Sequence, residues 1–215
     1  MTISYAIPVC NEWLQLEYLI NYLLQKKRDQ DEIVVQCDEG NTTPSVYQVL
    51  KQFSDYKKLK VVEFPLNKDF ASFKNNLKKH CSGDWIVQVD ADEMLGDVLI
   101  NNIPNIIESN PYNDVYLVPR VNTVKGLTQE HIQKWGWNVN EKGWINWPDY
   151  QWRILKNIPE IKWVNKVHEK LDGFKSYTPF PEMEELALRH PKTIERQENQ
   201  VKRYQEIDNN VQEKI

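Results

Sequence analysis

Trp85-Ile86-Val87-Gln88-Val89-Asp90-Ala91-Asp92-Glu93 is the stretch on which the fold turns. An apolar, β-branched run leads straight into two carboxylates one residue apart. In extended or turning backbone, residues i and i+2 project to the same side, so Asp90 and Asp92 converge on one cation. Hard carboxylate oxygens suit Mg²⁺ or Mn²⁺, which keep positions open for phosphate oxygens. A strand ending in paired acids is where an α/β protein would hold a metal-bound, phosphorylated ligand.

Upstream, the pattern repeats in βα units. The sequence predicts strands over Thr2–Ile7, Glu32–Cys37, Leu59–Phe64 and Asp84–Asp90. Pro8 is read as the stop of the first. Between them lie predicted helices from Asn11, as cap, to Lys27, from Thr43-Pro44 to Phe53, and from Asp69 to Cys81. The first is expected to bury Leu14, Tyr18, Leu19, Tyr22 and Leu23. A fourth helix over Val98–Glu108 contains Pro104, a point of kinking or restart. This is β-α-β-α-β-α-β, a parallel sheet covered by helices on both faces. Ligands of such sheets bind beyond the carboxyl ends of the strands. Those ends carry Asn11 and Glu12, Asp38 and Glu39, and Asp90 and Asp92.

Downstream the composition shifts at about residue 122. Of eight Trp, Trp135, Trp137, Trp144, Trp147, Trp152 and Trp163 fall close together. A fifth strand is expected over Val115–Val121, then mainly loop over 122–148. Short strands follow over Gln151–Leu155, Ile161–Val164 and Lys166–Leu171. From Thr193 the chain is strongly charged, yet Ile194, Val201, Tyr204, Ile207, Val211 and Ile215 form a stripe at helical spacing. That is an amphipathic helix for docking on the domain or on a partner, a second copy included. The expected division is 1–121, the regular α/β half; 122–190, an aromatic-rich half of the same domain; and 191–215, the C-terminal helix.

The chain has 215 residues and a net charge of −4, so no basic face suggests nucleic acid. Its apolar runs fall far short of the ~20 residues of a membrane span, and its start lacks the pattern of a signal peptide. Three cysteines without CxxC spacing fit free thiols in a reducing compartment and read as small buried hydrophobes. The expected location is cytoplasmic.

Four segments in this order, "ISYAIPVCNE", "DEIVVQCDEGNTTPS", "NKDFASFKNNLKKHCSGDWIVQVDADE" and "WPDYQWRIL…IKWVNKVHEKL", resemble the family 2 glycosyltransferases of the GT-A fold. The chain is most similar to the short bacterial and viral relatives of the lipopolysaccharide-core glucosyltransferases. It departs from them in Asp38-Glu39-Gly40-Asn41, where Asp-Asp-Gly-Ser is common, and in Lys74, where Arg is usual. The resemblance implies an inverting transfer of sugar from a nucleoside-diphosphate sugar, UDP-sugar first, to a glycan, lipid-linked or protein acceptor. It implies Mn²⁺ or Mg²⁺ held directly by Asp92, with Asp90 on the ribose or on the metal through water. His168 is the candidate second ligand, a role set against an ordinary hydrogen-bonded histidine. His80, His131 and His190 are read as structural. Asp38, Pro8, Asn11, Glu12 and Lys74 would form the nucleoside pocket, and Asp69 is either a further partner or a helix cap.

The general base is expected to be Asp149, between aromatic residues in Trp147-Pro148-Asp149-Tyr150, with Glu130 as second candidate. Arg153 is either a phosphate or sugar contact or a structural ion pair. Trp135, Trp137, Trp144 and Trp147 would hold donor or acceptor sugar on their ring faces, or form a small aromatic core. Two alternatives stand beside this reading: a sugar-nucleotide pyrophosphorylase-like nucleotidyltransferase and a non-catalytic carbohydrate- or nucleotide-binding relative. The first lacks its Gly-rich N-terminal loop here; the intact acid pair argues against the second.

Overall fold

A computed structural model describes residues 1–212, apart from the side chains at 203, 206 and 208–212. The strands are β1 Ile3–Val9, β2 Glu32–Asp38, β3 Leu59–Phe64, β4 Trp85–Gln88, β5 Val115–Val118, β6 Arg120–Lys125, β7 Gln151–Lys156, β8 Lys162–Val164, β9 Lys170–Asp172, β10 Tyr177–Pro179 and β11 Leu188–Thr193. The helices are α1 Trp13–Lys26, α2 Pro44–Gln52, α3 Phe70–Lys79, α4 Asp97–Ser109, α5 Gln129–Trp135 and α6 Ile194–Gln212.

Seven strands form one sheet in the order β10-β5-β7-β4-β1-β2-β3. β1 lies parallel between β2 and β4, with Ala6 opposite Val34 on one side and Gln88 on the other. β7 is antiparallel to both neighbours, β4 and β5. The sheet is thus mostly parallel, as expected, but the aromatic half of the chain inserts a strand beside β4. That insertion brings Asp149, Gln151 and Arg153 to the DxD turn. Two ribbons complete the architecture, β6 with β11 in parallel and β8 with β9 antiparallel.

Several boundaries differ from the expectations, each for a physical reason. Pro8 does not stop β1; it lies within it, past Ala6, where the pairing with β4 ends and a missing N–H costs no ladder bond on that side. Glu12, not Asn11, occupies the cap position of α1, and its carboxylate accepts the N–H groups of Cys10 and Asn11. The buried face of α1 is Leu16, Leu19, Ile20 and Leu23, at i, i+3, i+4 and i+7, whereas Leu14 and Tyr18 are exposed. Asp69 caps α3 by accepting the Ser72 N–H at 2.8 Å. α4 continues through Pro104. The strand expected over Val115–Val121 is broken at Pro119, and its second part, β6, pairs with β11 instead of the main sheet. The segment expected as loop over 122–148 contains the end of β6 and the short helix α5.

Cys37 and Cys81 are free thiols buried in the core. α6 docks on its own domain, with Ile207 buried and the Tyr204 ring edge-on to Phe70. Val211 and Ile215, the end of the predicted stripe, lie outside the residues whose side chains are described. No helix among the described residues is long and apolar enough to cross a membrane.

Candidate active site

After β4, the Val89 N–H still bonds Ala6 of β1, and the Glu93 N–H closes a turn on the Asp90 carbonyl at 2.8 Å. The turn aims Asp90 and Asp92 into a cavity of about 410 Å³. Beneath them Glu93 is fully buried. Its carboxylate accepts from Arg153 Nε and Nη2 at 3.0 and 2.7 Å and from Arg120 Nη1 at 2.8 Å. Burial alone would raise its pKa, but the Arg153 and Arg120 charges outweigh that and hold it below the usual carboxylate range. The same arginines reach outward. Arg153 Nη2 donates to Asp90 at 2.8 Å, and Arg120 donates twice to Asp149 Oδ2 at 2.9 and 2.8 Å. One buried carboxylate therefore fixes the two cations that set the directions of Asp90 and Asp149.

Asp149 has a positive φ of 33° in a turn that follows Pro148. Its Oδ2 also accepts from Asn122 Nδ2 at 2.5 Å, and its Oδ1 accepts from Gln151 Nε2 at 3.0 Å. Because the Asn122 amide nitrogen points to Asp149, its oxygen faces His190 Nδ1 at 2.9 Å, which must carry a proton. His190 Nε2 is then presented to Asp92 Oδ2 at 3.0 Å. Burial would push the Asp92 pKa up, but the hydrogen bond and charge of His190 and the charge of Arg196 bring it to about 2.

The donor set at Asp92 is small for the expected divalent metal. Among the described residues no group of three or more His, Cys, Asp or Glu side chains is gathered to hold an ion. One carboxylate and one imidazole nitrogen, 3.0 Å apart on the wall of an open cavity, do fit an ion that takes its remaining ligands from phosphate and water. The imidazole is that of His190, for which the sequence predicts a structural role. His168, the expected second ligand, lines the same cavity in a turn with φ 53°, and its ring packs edge-on against Tyr204. Asp90 is paired with Arg153 alone, whereas Asp92 has an imidazole nitrogen beside it to complete a donor pair. The sequence signal for His190 was the strict alternation in β11: Leu188 and His190 are buried while Arg189 and Pro191 are exposed.

The remaining candidates separate clearly. Lys74 lines the cavity, buried, paired with Glu169 and 4.5 Å from the centre of the Trp163 ring. Arg153 takes the ion-pair form of its two readings. Asp38 is buried at the end of β2 and accepts the Leu66 N–H at 2.9 Å; neither it nor Pro8, Asn11 or Glu12 lines the cavity. Arg196 of α6 spans that gap, donating to Glu12 at 2.8 Å and lying 3.1 Å from Asp92. Glu130 is exposed on α5, away from the cavity lining. Trp137 lines the cavity and touches Trp135, which stacks on His131. Trp144 and Trp147 pack together at 5.0 Å and line a separate surface cleft with Lys142 and Glu184.

The fold is shared with known proteins. The structure superposes on residues 1–349 of TarS from S. aureus with a TM-score of 0.52 and 18% identity, over 73% of this chain and 47% of that one. For TarS 1–349 in complex with UDP-GlcNAc the TM-score is 0.51 at 21% identity, over 60% of this chain and 37% of that one. This chain thus spans less than half the length of these neighbours, and at such identities the likeness shows a common fold. No curated protein sequence matches the chain. The model of glycosyl transferase family 2 matches residues 4–172, most of the chain. The sheet, the DxD turn and this match lead to one conclusion: the chain belongs to glycosyl transferase family 2.

Proposed function

We propose that this chain is an inverting, metal-dependent glycosyltransferase that moves a sugar from a nucleoside-diphosphate sugar to a hydroxyl of a glycan, lipid-linked or protein acceptor. The observation that carries this reading is the placement of Asp92–His190 and Asp149 on one cavity, linked through Asn122. UDP is the first nucleotide to test, since the TarS structures hold UDP and UDP-GlcNAc. Residues 1–121 supply the donor side and 122–190 the acceptor side. The reaction is placed in the cytoplasm, peripheral to the inner membrane for a lipid-linked acceptor.

Asp92 and His190 would hold Mn²⁺ or Mg²⁺, which when bound supplies Lewis-acid neutralisation of the departing diphosphate. Asp149 Oδ1 takes the acceptor proton. Its Oδ2 is already held by Arg120 and Asn122, so Oδ1, with Gln151 as its described donor, is the oxygen left for that role. The acceptor oxygen bonds to the anomeric carbon as the carbon–phosphate-oxygen bond breaks, and the electron pair leaves on the diphosphate. Arg120 positions the base. Asp90, held by Arg153, faces the ribose, with Lys74 beside it on the nucleoside side. Trp137 offers an aromatic face to a sugar ring.

A thermal-shift screen of nucleotide sugars with Mn²⁺ tests the reading, because a ligand of the folded state raises the melting temperature by mass action. A donor sugar should raise it in a metal-dependent way and undergo slow hydrolysis in water. Asp92→Ala should lose both responses. A wild-type chain that neither shifts with any nucleotide sugar nor hydrolyses one would defeat the proposal.

A further inference from the structure

The cations that line the cavity differ in how their charge is met. Lys74 is paired with Glu169, Arg120 with Glu93 and Asp149, and Arg153 with Asp90 and Glu93. Arg196 at its edge is paired with Glu12 and Asp92. Lys192 is the exception: among the described residues no carboxylate lies within ion-pair distance of it. Its ammonium donates to the side-chain oxygens of Gln197 and Gln200, both neutral, from the first turns of α6.

This arrangement has a local cause. His190 and Lys192 stand two apart on β11, so they project to the same side of the strand, while Arg189, Pro191 and Thr193 face away. β11 runs parallel to β6 with Lys192 opposite Val124, itself a lining residue, which holds the lysine over the cavity. A half-buried ammonium without a counter-ion has lost hydration that amide oxygens only partly replace. An anionic ligand would restore the balance. That anion must lie beside Asp92, whose negative charge repels it unless a cation stands between them.

We propose that Lys192 is a direct contact to the diphosphate of the donor, with Gln197 and Gln200 of α6 holding its ammonium in place. This rests on the nucleotide-sugar reading above and extends the donor site to β11 and α6, beyond residue 172, where the family match ends. An acidic group on the sugar would use the same chemistry, and the probes separate the two sources.

Titration calorimetry of the wild-type chain, Lys192→Ala and Lys192→Arg with UDP, GDP and inorganic pyrophosphate, and with a UDP-uronic acid as comparison donor, each with Mn²⁺, tests the assignment. Wild type should bind pyrophosphate and at least one nucleotide. Lys192→Ala should weaken both by roughly ten- to a hundredfold, the worth of one charge-assisted hydrogen bond, and Lys192→Arg should recover most of the loss. Unchanged affinities in a folded Lys192→Ala chain overturn the assignment and leave the nucleotide-sugar reading standing. A loss confined to nucleotides, with pyrophosphate unaffected, or undiminished diphosphate binding with loss only for an acidic sugar donor, also overturns it. Wild type that binds none of the three probes overturns both readings. If Lys192→Ala does not fold, Lys192→Met, of matched length, is read in the same way.

Discussion

Replacing Glu93 by Gln should be among the most damaging isosteric changes available in this chain. Glu93 is 0% exposed and accepts three hydrogen bonds from two arginines, with a fourth from the Asp90 N–H at 3.2 Å. Arg153, on the other side of the pair, is only 4% exposed. Removing one partner of a buried ion pair leaves the other charge uncompensated and costs about 3–5 kcal/mol. The Gln carbonyl keeps part of the hydrogen bonding, and Asp90 and Asp149 still face the arginines, so the lower end of that range applies. At about 2–4 °C per kcal/mol for a chain of this size, the melting temperature should fall by roughly 6–12 °C. Thermal melts followed by far-UV circular dichroism measure that fall, and urea unfolding, with the slopes of the two chains compared, measures the free-energy loss. The pH dependence carries the sign of the argument. Because the arginines depress the folded pKa of Glu93, its contribution is fully present above its unfolded pKa of about 4.3 and is lost as the pH falls through the lower folded value. The gap between wild type and Glu93→Gln should therefore be widest near neutrality and close on acidification below about pH 4. A gap under about 1 kcal/mol at pH 7, or one that stays constant to pH 3, would refute the reasoning.

Three further outcomes are expected. Asp149→Asn should keep donor affinity and lose transfer, while Glu130→Gln keeps both; transfer that survives the first change and fails in the second would reverse the assignment of the base. His190→Ala should weaken Mn²⁺-dependent nucleotide binding, read by calorimetry, more than His168→Ala, and the reverse order would restore His168 as the metal ligand. Gly173 has φ 81°, and an added Cβ would lie 1.9 Å from the Glu160 carbonyl oxygen, so Gly173→Ala should destabilise the β8–β9 region by several kcal/mol in thermal melts; an unchanged melting temperature would show that the turn can open without cost.

The front of the molecule was legible because its elements are set by local rules. Apolar runs of strand length, Pro at the first turn of α2 and the Asp69 cap of α3 act over a few residues. They placed β1 to β4 and the acid pair at the end of β4. Asp149 was legible too, as an acid in a turn at the boundary of the aromatic half. Local rules read less well where phase or pairing decides. Periodicity puts Leu14 and Tyr18 on the buried face of α1, yet they face solvent, and it runs β5 into β6 because the partner of β6 lies some 68 residues later, His190 opposite Asn122.

By itself, the sequence determined the βα order, the DxD turn and the class of chemistry that paired carboxylates at a strand end can do. The tertiary structure decided which groups share the cavity. Arg153 meets Glu93 because β7 pairs antiparallel with β4, Arg120 meets it from the start of β6, and His190, Lys192 and Arg196 arrive because β11 and α6 fold back across the rim. These contacts join residues from 27 to 184 positions apart. Hydrophobic periodicity reports which side of an element is buried, and it carries no information about which charged side chain will meet another across that distance.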